Sequence, residues 1–476
     1  MSWINRENKS RRGDEEKKYP FAKWMSWLFL AVSMLLLIYT YYRAEITYQG
    51  ANHVKYFKYY LISLAGILFW GVVLRLREGI RANIVTIIIA LIIGLYMIEG
   101  GLTLLGLGQP QNNRAAAVAA AELGVEYDER SKLQVIDGLI EKGVDAVPAV
   151  RPADVLTMDE ELLPLGGVSN KTTVATNENG YYMVYTSDRY GFNNPDSEWD
   201  AEQVEWLLTG DSFTEGEAVN PGEDVAGQIR LITKQPTINV GRGGNGPLIE
   251  LAELREYAEL VKPKKVLWLY FEGNDLKGDL QGEKLNPILM QYMEDGFSQN
   301  LINRQKEVDS RLREYVDSRL REYLVSEQAQ GQTETQLYRT RWIRLYAIRS
   351  MISFDDDVDF DVNVDDPLFA KILTKAKAHV EGWGGELYFI YLPEYSRYKK
   401  VEVSHNDFGK KSEVIDLVKR LNIPVIDIHQ ETFADHPDPL SLFPFRLSGH
   451  YNADGYAEVA KAIVDSVKEH EEQNNK

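Results

Sequence analysis

Three apolar runs crowd the first 107 residues of the chain, at 24–42, 56–74 and 84–107. In hydrocarbon every backbone polar group must be satisfied within its own segment, so a lipid-crossing run has to be helical. Each run approaches the roughly 20 residues that span a bilayer as helix. Aromatic residues flank the first run, and residues 1–23 before it are polar and basic. A cleaved signal peptide has a shorter apolar region and is not followed by two more spans, so we expect a three-span anchor. Arg75, Arg77 and Arg81 in the second loop match the basic N-terminus, which the positive-inside tendency puts in the cytoplasm. Three crossings then carry the chain beyond about residue 108 to the outer side of the cytoplasmic membrane. Glu99, the single acid in the third run, is expected near its outer end, facing water or another helix.

Charge separates the anchor from the rest. Residues 1–107 hold 13 Lys/Arg against 7 Asp/Glu, whereas the remainder holds 40 against 64, and the whole chain carries −18. So acidic a body repels phosphate backbones, and nucleic acid is not an expected partner. There are no cysteines, which removes disulfides, thiolate metal sites and cysteine nucleophiles from consideration. The seven histidines are scattered without a ligand pair at useful spacing, so neither a metal nor a cofactor is expected.

Residues 108–200 read as a linker and a small α+β lead-in. Helices are expected near 115–123 and 131–142, an extended run at 147–156, and a hairpin of strands 172–176 and 181–186 turning at Asn177-Glu178-Asn179-Gly180. From 201 to 476 the pattern becomes a β/α alternation. Strands at 204–209, 237–240, 265–270, 386–391 and 424–428 alternate with helices near 224–233, 247–261, 367–381, 413–420 and 453–469. Alternation of this kind implies an α/β domain with a parallel sheet of about five strands, covered on both faces. An insertion at about 276–366 interrupts it. Its eight-residue tandem repeat over 308–323 should prolong one charged helix. The acidic run 355–366 has Phe360 where an EF-hand needs Gly, and reads as a solvated loop.

Ligands of open α/β sheets bind beyond the carboxyl ends of the strands. Four features fall at such ends. Gly210-Asp211-Ser212 follows the first strand, and the run Gly241-Arg242-Gly243-Gly244-Asn245-Gly246 follows the second. Gly273-Asn274-Asp275 follows the third, and Ser448-Gly449-His450 precedes the last helix. A serine nucleophile needs a base, and His450 is the histidine suitably placed. A developing oxyanion needs donors, which the amide of Ser212, the amide of Gly244 and the side chain of Asn274 can supply. Asp211 and Asp275 read as loop-holding residues. The run 241–246 also fits G-x-G-x-x-G, but the acid about 20 residues on, Glu259, falls inside a helix and not at a strand end.

Together these blocks resemble the SGNH (GDSL) hydrolase superfamily over roughly 201–476, the insertion excepted. The resemblance implies a flavodoxin-like three-layer α/β/α fold preceded by the three transmembrane helices. It also implies Ser212 as nucleophile, His450 as general base, and Ser212, Gly244 and Asn274 as the oxyanion donors. The family's aspartate two or three residues before the histidine is replaced here by Leu447 and Ser448. The third triad member is then Ser448 or a backbone carbonyl, or else Asp427 or Asp438 from a neighbouring loop. Anchored relatives of this kind imply action on acyl, chiefly O-acetyl, groups of cell-surface carbohydrate. The first expectation is therefore a serine esterase acting on acylated carbohydrate or another ester. The alternatives are a polysaccharide O-acetyltransferase served by a membrane acyl-donor partner, and an inactive glycan-binding module.

Overall fold

The structure, a computed structural model, describes residues 19–47, 53–104, 111–156, 161–319, 345, 348, 364, 367–398 and 408–474. The chain divides into two compact units: Met1–Gln109 with Thr335–Ser353, and Pro110–Glu334 with Phe354–Lys476.

The first unit contains α1 (Pro20–Tyr41), α2 (His53–Val73) and α3 (Glu78–Leu104). All three are long and apolar enough to cross a membrane. Gly66 of α2 lies against α1, where an added Cβ would come within 2.7 Å of the Ser33 hydroxyl. Small residues allow this approach of two helix backbones. Arg81 folds back to donate to the Leu74 carbonyl at 3.1 Å, closing the α2–α3 turn. Glu99 faces a helical residue of another segment, one of its two expected settings. Its side chain is buried and accepts the backbone N–H of Ile348 at 2.8 Å, so a stretch of the insertion belongs to this unit.

The second unit begins with α4 (Gln111–Glu122) and α5 (Lys132–Ile140), then a three-stranded sheet of β1 (Ala146–Pro148), β2 (Thr172–Asn177) and β3 (Tyr182–Thr186). The run 147–156 is not extended throughout. Past β1 it turns into α6 (Pro152–Val155), because proline suits the first helical turn and Asp154 accepts from the Arg151 amide at its start. The larger sheet comprises β4 (Trp206–Gly210), β5 (Thr237–Asn239), β6 (Lys265–Phe271), β7 (Glu386–Leu392) and β8 (Val425–Asp427). Its order is β5-β4-β6-β7-β8 with every pairing parallel.

Alternation along the strands builds three layers. Leu207, Val266, Trp268 and Phe389 join one core with Leu248, Leu251, Phe369, Ala376 and Val414 from the covering helices α9 (Pro247–Glu253), α10 (Pro367–Gly382) and α11 (Lys411–Arg420). Their neighbours Leu208, Leu267, Leu269 and Ile390 point the other way. They pack on Val225 and Ile229 of α8 (Val225–Thr233), and on Val459 and Ile463 of α12 (Ala453–Asn474). Side chains of period two feed both faces, hence the near-continuous apolar strands. In this order the chain leaves β4 to one side for β5 and returns to the other for β6. Ser212 follows β4 at that reversal, the position beyond the strand ends where open α/β sheets bind ligands.

The insertion is helical over 305–319, burying Val308, Leu312 and Val316 on one stripe. Residues 320–323 of the repeat lie outside the described residues, as does all of the acidic run 355–366 except Val364.

Candidate active site

Ser212 begins α7 (Ser212–Glu215), a single helical turn directly after β4. Asp211 caps that turn, its carboxylate accepting the Phe213 amide at 2.9 Å, and Gly216 ends it in the left-handed region. The Ser212 hydroxyl meets His450 Nε2 at 2.7 Å. His450 stands before α12, its ring against Phe213 at 4.7 Å between centroids, and Phe213 in turn stacks on Phe271 at 4.1 Å. Phe213 thus links the imidazole to the end of β6.

The other ring nitrogen, Nδ1, lies 2.9 Å from Oε1 of Glu178, and Oε2 of the same carboxylate accepts the His450 backbone N–H at 2.8 Å. None of the three expected partners occupies this position. Asp427 pairs with Lys411 at 2.6 Å, Asp438 pairs with Arg446, and Ser448 is exposed. Glu178 comes from the tip of the β2–β3 hairpin. Asn177 accepts the Gly180 amide across that turn at 3.0 Å, and Asn179 donates to the Ala218 carbonyl at 2.6 Å, clamping the tip beside the Ser212 turn. Gly449 leaves room for the carboxylate, since a Cβ there would lie 2.5 Å from Glu178 Oε2.

The loop 241–246 is fastened by side-chain acceptors. Gly241 donates to Asn239 at 2.9 Å, Gly243 to Glu215 at 2.7 Å, and Gly246 to Glu283 at 2.6 Å. With these amides occupied by protein groups, the loop has no cradle of free amides for a pyrophosphate. Gly244, at φ +74°, is different: its amide has no acceptor among the described residues, and the same holds for the amide of Ser212 and the side-chain nitrogen of Asn274. Asn274 stands after β6 where Asp275 turns back to accept the Phe271 amide at 3.0 Å. Asp211 and Asp275 hold loops, as expected.

A buried ion pair locks the Ser212 turn and the 241–246 loop together. Arg242 and Glu215, 0% and 1% exposed, meet at 2.6 Å, and Arg242 also reaches the Tyr185 hydroxyl and the Val150 carbonyl at 2.6 Å. The small sheet is thereby tied to the Ser212 turn. Asp188 has a packing role: buried, it accepts from Phe192 N–H, Asn194 and Trp199.

Electrostatically the site is a cation among carboxylates. Burial disfavours the His450 imidazolium, but Glu178, Glu217 and Asp211 favour it more and raise the group to about 10. Glu178 moves down, burial being outweighed by His450. Asp211 is pushed up to about 7, chiefly by burial. Sequence reasoning missed Glu178, Glu217, Glu215 and Arg242. The hairpin's Asn177-Glu178-Asn179-Gly180 turn is visible in the sequence, but nothing local says that its tip meets residue 450.

No family model matches this chain, and no curated protein does. Among solved structures it is similar to the acetyl xylan esterase AlAXEase at 11% identity and TM-score 0.32, covering 56% of this chain and 100% of that one. It is similar to a putative lipolytic protein of the G-D-S-L family from Desulfitobacterium hafniense DCB-2 at 12% identity and TM-score 0.30, covering 55% and 98%. A two-domain esterase (CEX) active on acetylated mannans gives 12% identity and TM-score 0.30, covering 58% and 51%. Likeness this distant adds nothing to the geometry of the four loops, on which the chemistry rests.

Proposed function

We propose that this chain is a membrane-anchored serine hydrolase of the SGNH type that acts on esters through an acyl-enzyme on Ser212. The observation that carries the proposal is the continuous relay Ser212 Oγ, His450, Glu178, with contacts of 2.7 and 2.9 Å. His450 Nε2 takes the hydroxyl proton as Ser212 attacks the acyl carbonyl, and Glu178 holds the ring through Nδ1–H and stabilises the imidazolium. The tetrahedral oxyanion draws on the amides of Ser212 and Gly244 and on the side-chain nitrogen of Asn274. Collapse expels the alcohol, which receives the proton from His450. Water, activated by the same histidine, then releases the acid.

The substrate class we propose is O-acetylated carbohydrate outside the cytoplasmic membrane, with the N-terminus in the cytoplasm. It rests on the resemblance of the four blocks and on the loop charges around the three apolar helices. A complete relay and three donors with no acceptor among the described residues favour catalysis over a glycan-binding module. If a sugar hydroxyl replaces water in the second step, the same site becomes an acetyltransferase, and a membrane partner must then supply the acyl donor.

Fluorophosphonate labelling of the detergent-solubilised full chain tests the reading, beside Ser212→Ala and His450→Ala. The parent should label and both variants should not. A folded parent that stays unlabelled at every pH would overturn it. Release of acetate from acetylated xylan or mannan, with and without added sugar acceptors, then separates hydrolysis from transfer.

A further inference from the structure

One carboxylate in the site has no task in the relay. Glu217 follows the Ser212 turn, its amide donating to the Ser212 carbonyl at 3.1 Å, and its side chain is 8% exposed. Among the described residues no donor reaches that carboxylate. Its Oε1 packs on Gly243, where an added Cβ would lie 2.5 Å away. One oxygen each from Glu178 and Glu217 and one ring nitrogen of His450 all lie within 4.8 Å of one another. Imidazole nitrogen and carboxylate oxygen are both zinc ligands, and three protein ligands leave a fourth position for water.

We propose that Glu178, Glu217 and His450 form a binding site for a zinc-like divalent cation, and that its occupancy switches the hydrolase off. The inference rests on reading Ser212, His450 and Glu178 as the catalytic relay. Ligands at about 2.0–2.1 Å from a tetrahedral zinc sit about 3.3 Å apart. The His450–Glu178 separation of 2.9 Å is already close to that, so it is chiefly Glu217 that must move in. On binding, the cation takes the ring nitrogen's lone pair and the displaced Nδ1 proton passes to solvent, as metal binding to histidine requires. Starting from the imidazolium, the ring keeps its other proton on Nε2, which faces Ser212 and has no lone pair left to accept the hydroxyl proton, while Glu178 holds the metal in place of the ring. Lys132 and Arg151 also face Glu217 and oppose the incoming charge, while Glu215, although near, is committed to Arg242. Magnesium and calcium favour six or more oxygen ligands and fit this set poorly.

The test uses the full chain in detergent and Zn2+ itself as probe. Calorimetric titration of Ser212→Ala, which retains all three ligands, should show one Zn2+ bound with proton release. Zn2+ should protect the parent from fluorophosphonate labelling, a chelator should restore it, and Mg2+ should have no effect. Glu217→Gln, compared with itself in metal-free buffer, should need at least tenfold more Zn2+ for the same protection. Equal protection of Glu217→Gln and the parent, or absence of Zn2+ binding by Ser212→Ala, overturns the site. Failure of the parent to label in metal-free buffer strikes the catalytic reading instead, and calorimetry still decides the metal.

Discussion

Glu178 and His450, 272 positions apart in the chain, are joined by two hydrogen bonds, one from the ring and one from the backbone. A single carboxylate therefore fixes both the orientation of the imidazole and the loop that carries it. The β2–β3 hairpin is part of the Ser212–His450 site, although it precedes the β/α domain in sequence.

Replacing that carboxylate by its amide isolates the electronic contribution. Glu178→Gln keeps the volume but can favour the wrong imidazole tautomer. We expect kcat on an aryl acetate to fall by about 10³–10⁴, with melting temperature nearly unchanged. Activity close to the parent's would remove Glu178 from the relay.

The pH profile follows from the charges around the ring. The reaction needs neutral His450, and the surrounding carboxylates raise it from 6.5 to about 10. The rate should still be climbing above pH 7, and Glu217→Gln, which removes one of the raising charges, should move the acid limb to lower pH. Because the folded-state value lies above the free one, this pairing contributes stability fully below pH 6.5 and loses it as pH rises towards 10. A parent limb at an ordinary imidazole value, unmoved in Glu217→Gln, contradicts the assignment.

Gly449 allows a test by steric displacement. A Cβ there would stand 2.5 Å from Glu178 Oε2, so Gly449→Ala must push the carboxylate away or move the loop. We expect a fall in kcat of about 10² or more. The expected signature is lost activity in a protein whose melting curve stays cooperative.

Asn274→Ala removes a donor to the oxyanion and nothing from the relay. The loss should be about 10²–10³ in kcat with KM little changed, the pattern of an interaction made in the transition state. A change confined to KM would place Asn274 in substrate binding only.

Arg242→Met tests the buried lock. It leaves Glu215 uncompensated in the interior, and breaking a buried pair in this way costs about 3–5 kcal/mol. Thermal unfolding in detergent should show a clearly lower midpoint. Part of the loss should return in the double variant Arg242→Met, Glu215→Leu, where no lone charge remains.

What is local in its physics was legible along the chain. The apolar runs of α1 to α3 are long enough to announce helices, whatever the remainder does. The β/α alternation implied a parallel sheet, and parallel strands end at one edge, so Ser212, Gly244, Asn274 and His450 could be assigned to that edge from strand and turn patterns alone. What meets those residues there depended on the assembled fold. Ser448 is two positions from His450 but exposed, whereas Glu178 arrives from a hairpin held by Asn179 and the Ala218 carbonyl. Arg242 and Glu215 looked like ordinary loop and helix residues until burial made each the other's necessary counter-charge. Glu99 met the amide of Ile348, 249 positions away. Periodicity and turn chemistry act over a few residues and leave a mark in the sequence. Pairings of buried polar groups depend on which surfaces the completed fold brings together, and nothing near either partner encodes them.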